Sequence, residues 1–319
     1  MMGTSVNVVH GLACPEIGPI CTVRKELPQL HDQDFLIGEV RAVLDQGLGH
    51  GFGAEVHLPL RVSHTAIVYR RVDGTAFTLD YPNIHHRNET LTGIGDPWLL
   101  GRWAGDVGEF TLSVKTGLTL PLGSTVVNPF RLAAGGREHQ HIQFGTGTFD
   151  PLLAAGASRK VGPVAVALYG QARLGLYAND AGYQAGHRFG FGLSAGMAVW
   201  REWTATTSAD LAIEQAERWD GKVMEDGNLG RTDGLLGLGL SHPLGPFRLG
   251  LAAKVPLFTL LVQHGDEAAQ LEYPAIVEFS VQWQQAPDGP TVAKERGKSA
   301  MAEASDGGML RARFRAGQR

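Results

Sequence analysis

Cysteine is nearly absent from this chain of 319 residues: Cys14 and Cys21 are the only two. Two thiols are too few for a disulfide framework or for a zinc site built mainly from thiolates. They either close one small loop in an oxidising compartment or stay free. Long apolar runs are missing as well. No stretch of 18 or more apolar residues occurs, which excludes a transmembrane helix and leaves strands as the only way through a bilayer. Basic residues are not in excess: 28 Lys and Arg stand against 32 Asp and Glu, for a net charge of -4. The clustered basic footprint that nucleic acid requires is therefore lacking. The opening residues, Met1 to His10, show neither a basic n-region nor a long apolar h-region, so no signal peptide is visible. A membrane reading then expects a leader removed beforehand, or an internal start.

What is present is alternation with a period of two, the signature of a strand with one apolar and one polar face. It is cleanest from Phe110 to Leu122, where Phe110, Leu112, Val114, Leu118 and Leu120 share one parity while Thr111, Ser113, Lys115 and Thr119 hold the other. The pattern recurs over 52–61, 164–177, 188–200, 247–257 and 277–283, with a further strand expected at 34–45. A soluble sandwich also alternates, so the connections serve as a second test. From 34 onward, short links at 46–49, 104–108, 159–162, 201–203 and 243–246 interleave with long ones at 61–92, 124–142, 178–186, 218–233 and 263–273. Short turns on one side and long loops on the other is the layout of outer-membrane barrels, whose short side is periplasmic. A strand over Thr4–His10 then brings the chain up to the first long loop, which holds Cys14 and Cys21.

These patterns predict an all-β fold, a transmembrane antiparallel up-and-down barrel of about 12 strands over residues 1–284, with both termini periplasmic. Residues 285–319 are rich in Pro, Gly, Ala and charge without periodicity and read as a disordered periplasmic tail.

Charged and polar residues of inward parity are the candidate lining of the solute path: Glu55, His57, Lys115, Tyr169, Arg173, Arg188, Asp210, Glu214, Arg248 and Lys254, with Glu39, Arg41, Arg61 and Glu278 of the same parity. On a lipid face a mid-depth charge costs roughly 2–4 kcal/mol, so these side chains are expected inside. There they either pair with one another and fill the lumen or line a narrow water path. Trp98, Trp103, Trp200, Trp203, Trp219 and Trp283 fall near strand ends, as aromatic girdles do.

Catalytic and metal motifs fare poorly. Gly192-Leu193-Ser194-Ala195-Gly196 matches a nucleophile elbow, but alternation runs straight through it with no helix after it. His85-His86 and His139-Gln140-His141 could offer imidazoles to a metal, yet both lie in long loops with uninformative spacing. The glycines form no phosphate-cradling fingerprint. No enzyme activity, cofactor or metal is expected.

Gly93-Ile94-Gly95-Asp96-Pro97-Trp98-Leu99-Leu100, Leu118-Thr119-Leu120-Pro121-Leu122-Gly123 and Phe144-Gly145-Thr146-Gly147-Thr148-Phe149-Asp150 together resemble the transporter-like outer-membrane barrels of the meta-pathway phenol-degradation family. With their strands they cover roughly 90–200. The resemblance implies a porin-like barrel of a Gram-negative outer membrane that passes small, apolar or aromatic organic compounds. Its partners would be outer-membrane lipid, a small organic solute and, since Phe279, Val281 and Trp283 look like a terminal β-signal, the barrel assembly machinery. A structural or ligand-binding barrel without transport, or a barrel hydrolase, is the alternative.

Overall fold

The computed structural model describes residues 3–10, 29–70, 73–78, 87–225, 227–262 and 273–283. Cys14, Cys21, His85, His86 and the segment 285–319 lie outside the described residues. In chain order the elements are β1 (Gly3–His10), β2 (Gln29–Gly49), β3 (Phe52–Arg70), β4 (Glu89–Ile94), β5 (Trp98–Val107), β6 (Phe110–Thr119), α1 (Pro129–Ala134), β7 (Pro151–Val161), β8 (Val164–Arg173), β9 (Tyr183–Gln184), β10 (Arg188–Trp200), β11 (Trp203–Gln215), β12 (Arg218–Trp219), β13 (Gly230–Leu244), β14 (Phe247–Leu261) and β15 (Ile276–Trp283).

One antiparallel sheet runs β1-β2-β3-β5-β6-β7-β8-β10-β11-β13-β14-β15, with β4 paired to β3 and a separate ribbon of β9 and β12. That path has twelve strands, and every pairing joins neighbours along the chain. The sheet curls around an enclosed space in an up-and-down barrel fold. Its path ends at β1 and β15, with no pairing between those two among the described residues.

Period-two alternation decides which side chains are enclosed. On the outward face Leu168 is 61% exposed and Phe279 67%, while inward Glu55 is 3% and Asp210 5% exposed. This is a protein with its apolar residues outside and its charges inside, the reverse of a soluble sandwich.

The turns at 50–51, 108–109, 162–163, 201–202 and 245–246 all lie at one end and the long connections at the other. Two expectations require correction. The link placed at 61–92 is shorter, because polar-in alternation continues through the buried Ser63 and Thr65, so β3 runs to Arg70 and β4 pairs back onto it. Trp98 and Trp219 do not belong to an outer girdle: both are buried, one inside the sheet and one beneath the loops, whereas Trp200 and Trp283 are exposed near the short turns.

The tightest turn constraint is at Gly51, where φ is +83° and an added Cβ would meet the Ala104 carbonyl oxygen at 2.1 Å. Gly51→Ala is expected to destabilise the fold by ~1–3 kcal/mol through left-handed strain and backbone displacement, read as a lower denaturant midpoint in detergent.

Candidate functional site: a charge-paired interior

The interior holds two polar networks and a set of paired arginines, each assembled from side chains that period-two strands aim inward. The first network centres on Glu55. Its carboxylate lies 2.8 Å from Lys115 Nζ, 3.1 Å from His57 Nε2 and 3.5 Å from Arg102 Nε, while Arg102 also reaches Asp45 at 2.8 Å. His57 stacks on Trp98 with ring centroids 5.3 Å apart, and the Arg41 guanidinium sits 4.4 Å over the same indole.

The second network centres on Asp210. Tyr169 Oη and Ser208 Oγ donate to its carboxylate, the latter at 2.9 Å, and Lys254 Nζ lies at 2.7 Å. Lys254 and Asp210 are each almost fully buried, so neither charge can rely on water.

Arg173 pairs with Asp150 at 2.8 Å and Arg188 with Glu214 at 2.6 Å. Glu39 bridges Arg41 at 2.7 Å and Arg61 at 2.9 Å. Arg248 stands apart from these, with Nη1 3.5 Å from Ser241 Oγ. The interior thus brings Glu55, His57 and Lys115 together, and Tyr169, Asp210 and Lys254 together. It gives Arg173 and Arg188 separate carboxylate partners.

Cavities remain between these groups. One of about 60 Å³ lies between Trp98, Lys115, Arg173 and Arg188. A larger one of about 510 Å³ opens toward the short turns, lined by small and hydroxyl residues from β7 to β15 together with Arg248, Lys254 and Glu278. Ser194 belongs to the wall of the larger cavity, within the extended ladder where it faces Ala167 and Ser208. Its strand shows none of the strand-to-helix turn that an elbow needs.

Among the described residues of the long-loop end, hydrogen bonds hold the loops together. The Asp96 carboxylate accepts from Gly123 N at 3.0 Å, Thr146 N at 2.6 Å and Thr146 Oγ1 at 2.7 Å. Asp150, fully buried, accepts from Thr148 Oγ1 at 2.6 Å and from Arg173, with Thr146 Oγ1 3.1 Å away. The three short motifs over 93–100, 118–123 and 144–150 therefore meet in one hydrogen-bonded knot.

Beside it, Asn128 caps α1 by accepting from Phe130 N and Arg131 N, with Pro129 at the first turn. Asn128 and Arg131 both donate to Asp220, tying the 120–150 loop to the 216–229 loop. Trp219 packs on Tyr183 at 4.9 Å and on Phe130 at 6.0 Å and donates to Glu217 at 3.1 Å. His139 and His141 are buried in this loop layer, where His141 meets the Phe130 ring edge-on at 4.8 Å. No group of three metal-ligating side chains occurs among the described residues.

Sequence reasoning missed Asp150, Asp96 and the inward turn of Trp98. Asp96 and Asp150 lie outside the strands, where parity does not apply, whereas Trp98 opens β5 and shares the inward parity of Leu100.

No protein-family model matches the chain, and no curated relative matches it. The fold is similar to the crystal structure of an outer-membrane channel from Pseudomonas putida, with a TM-score of 0.50 and 12% identity, covering 88% of this chain and 95% of that chain.

Two predictions follow from the buried charges. Lys254→Met strands the Asp210 carboxylate and is expected to cost ~3–5 kcal/mol, whereas Lys254→Met with Asp210→Asn recovers most of it in urea unfolding. In the loop layer, burial holds the Glu217 carboxyl up at about 7 against 4.5. A carboxyl raised in the folded state favours folding below its unfolded pKa. That advantage, ~3 kcal/mol, is lost as pH rises from 4.5 to about 7. Amide exchange over 216–229, corrected for intrinsic rates, should accelerate across that window and become flat in Glu217→Gln.

Proposed function

We propose that this chain is a porin-like outer-membrane channel for passive uptake of small organic compounds, performing no covalent chemistry. The observation that carries the reading is the inverted distribution of side chains: a curled sheet with an apolar outer face around a paired-charge interior that still contains cavities of about 60 and 510 Å³. An apolar belt on the outside of a strand-built wall suits hydrocarbon, and polar groups inside suit water and solute. The likeness in fold to the Pseudomonas putida channel supports the same assignment. The three motifs add the resemblance to phenol-degradation barrels, and with it an apolar or aromatic solute.

In this reading the long loops are extracellular, the short turns and both termini periplasmic, and the barrel assembly machinery inserts the chain. Glu55, His57, Lys115, Tyr169, Arg173, Arg188, Asp210, Glu214, Arg248 and Lys254 form the polar lining. Because Tyr169, Asp210 and Lys254 fill the middle of the interior, a barrel that holds a ligand without passing it is the second reading.

The purified protein should fractionate with membranes, migrate faster on gels when unheated, and render liposomes permeable to small solutes. A membrane barrel that is electrically silent and impermeable would support the second reading over the first, and a chain that stays soluble without detergent would overturn both. Leu238, 66% exposed near the middle of β13, reports on the lipid face. Leu238→Arg is expected to destabilise the inserted barrel by ~2–4 kcal/mol in a lipid unfolding titration.

A further inference from the structure

We infer that the larger cavity is a binding site for a small hydroxylated organic anion, a carboxylate carried on a polyol body, with Arg248 as its anchor. Its physiological role, as one class among the small organic compounds taken up, rests on the channel reading; its chemistry does not.

Arg41, Arg61, Arg102, Arg173 and Arg188 each hold a carboxylate at 2.6–2.9 Å. Arg248 holds none among the described residues: its one side-chain contact is the long approach of Nη1 to Ser241 Oγ at 3.5 Å, and its Nε is buried without an acceptor. Glu278, the acid in the same wall, lies four residues along β15 from Gln282, the register partner of Arg248. Four residues of strand put it about 13 Å away along the sheet. A guanidinium so placed keeps its fork of N–H donors for an anion that enters the cavity, and the fork's geometry suits a carboxylate.

The wall around Arg248 is small and rich in hydroxyls. Inward positions of the neighbouring strands are occupied by Ala165, Ala167, Gly196, Gly237, Gly239 and Gly250, which clears a space of about 510 Å³. The Thr207 and Ser208 hydroxyls are used on the Gly237 carbonyl and on Asp210. Those of Ser194, Thr204, Thr206 and Ser280 line the cavity with no hydrogen-bond partner among the described residues. A simple alkanoate would meet Arg248 and leave these hydroxyls unused, and a neutral sugar would meet the hydroxyls and leave the cation unused. An ion with a carboxylate at one end and several hydroxyls behind it satisfies both. The volume accommodates such a body: small-molecule sites measure roughly 300–1,000 Å³, and a cavity of about 150 Å³ already holds benzene.

Titration calorimetry on the detergent-solubilised, heat-modifiable full chain tests the site without reference to permeation. Gluconate should bind saturably at constant ionic strength, and at least about tenfold more tightly than either hexanoate, which lacks the hydroxyls, or glucose, which lacks the charge. Arg248→Gln, which strands no acid, should keep heat-modifiability and weaken gluconate at least about tenfold, the worth of a hydrogen bond to a charged group. Thr206→Val should weaken gluconate and leave hexanoate unchanged. Gluconate and hexanoate binding alike, gluconate and glucose binding alike, full-strength gluconate binding by Arg248→Gln, or no saturable heat in the wild-type protein would each overturn the site. Liposome swelling separates the two levels. Permeation of neutral solutes without gluconate binding leaves the channel standing and removes the anion site. Gluconate binding in an impermeable barrel keeps the site and removes the channel.

Discussion

A charge that a strand aims into an enclosed space must find an opposite charge there, and the interior is organised around that requirement. Taking an ion out of water costs several kcal/mol even after relaxation, so an inward Lys, Arg, Asp or Glu that is buried away from the cavities is stable only if register brings a counter-ion within reach. Glu55 reaches Lys115 across two intervening strand pairings, Asp210 reaches Lys254, and Glu214 reaches Arg188 directly across its rung. Because a slip by one residue would turn every such side chain toward the apolar outer face, the ion pairs and the register stabilise each other. The glycine turns, the alternation and the outer belt all sit within that constraint.

Much of this is legible in a sequence because a period of two is simple to read. The inward placement of Glu55, His57, Lys115, Tyr169, Asp210 and Lys254 follows from parity along single strands, and so does the outward placement of Leu168 and Phe279. Partnership is not legible in the same way. Lys115 and Glu55 are 60 residues apart, and only the register of the intervening strands decides that they meet. Trp98, expected at an outer girdle for its place near a strand end, instead keeps the parity of β5, where Trp98 and Leu100 are buried and Leu99 is exposed, and stacks on His57. Asp150 precedes β7, where parity has no meaning, and its role depends on the fold of a loop rather than on a repeat.

The motifs that resemble phenol-degradation barrels acquire a physical explanation. Their glycines are sites of close approach: a Cβ on Gly123 would lie 2.7 Å from the Asp96 backbone nitrogen, and one on Gly145 would lie 2.7 Å from the Gly123 Cα. Their Asp, Thr and Gly residues make one knot, so the short, Gly-rich motifs serve the packing of the loop end. Deeper in the interior, cations from five strands line the smaller cavity.

The same knot bears on how the barrel forms. The main sheet follows chain order without a crossover, so its strands can add one after another. The Asp96 carboxylate, by contrast, can gather Gly123 and Thr146 only when β5, β6 and the start of β7 are all in register, and the two glycines leave no slack for a shifted strand. The loop end thus proofreads the wall beneath it: a mis-registered barrel is left with a buried carboxylate and no donors to receive it.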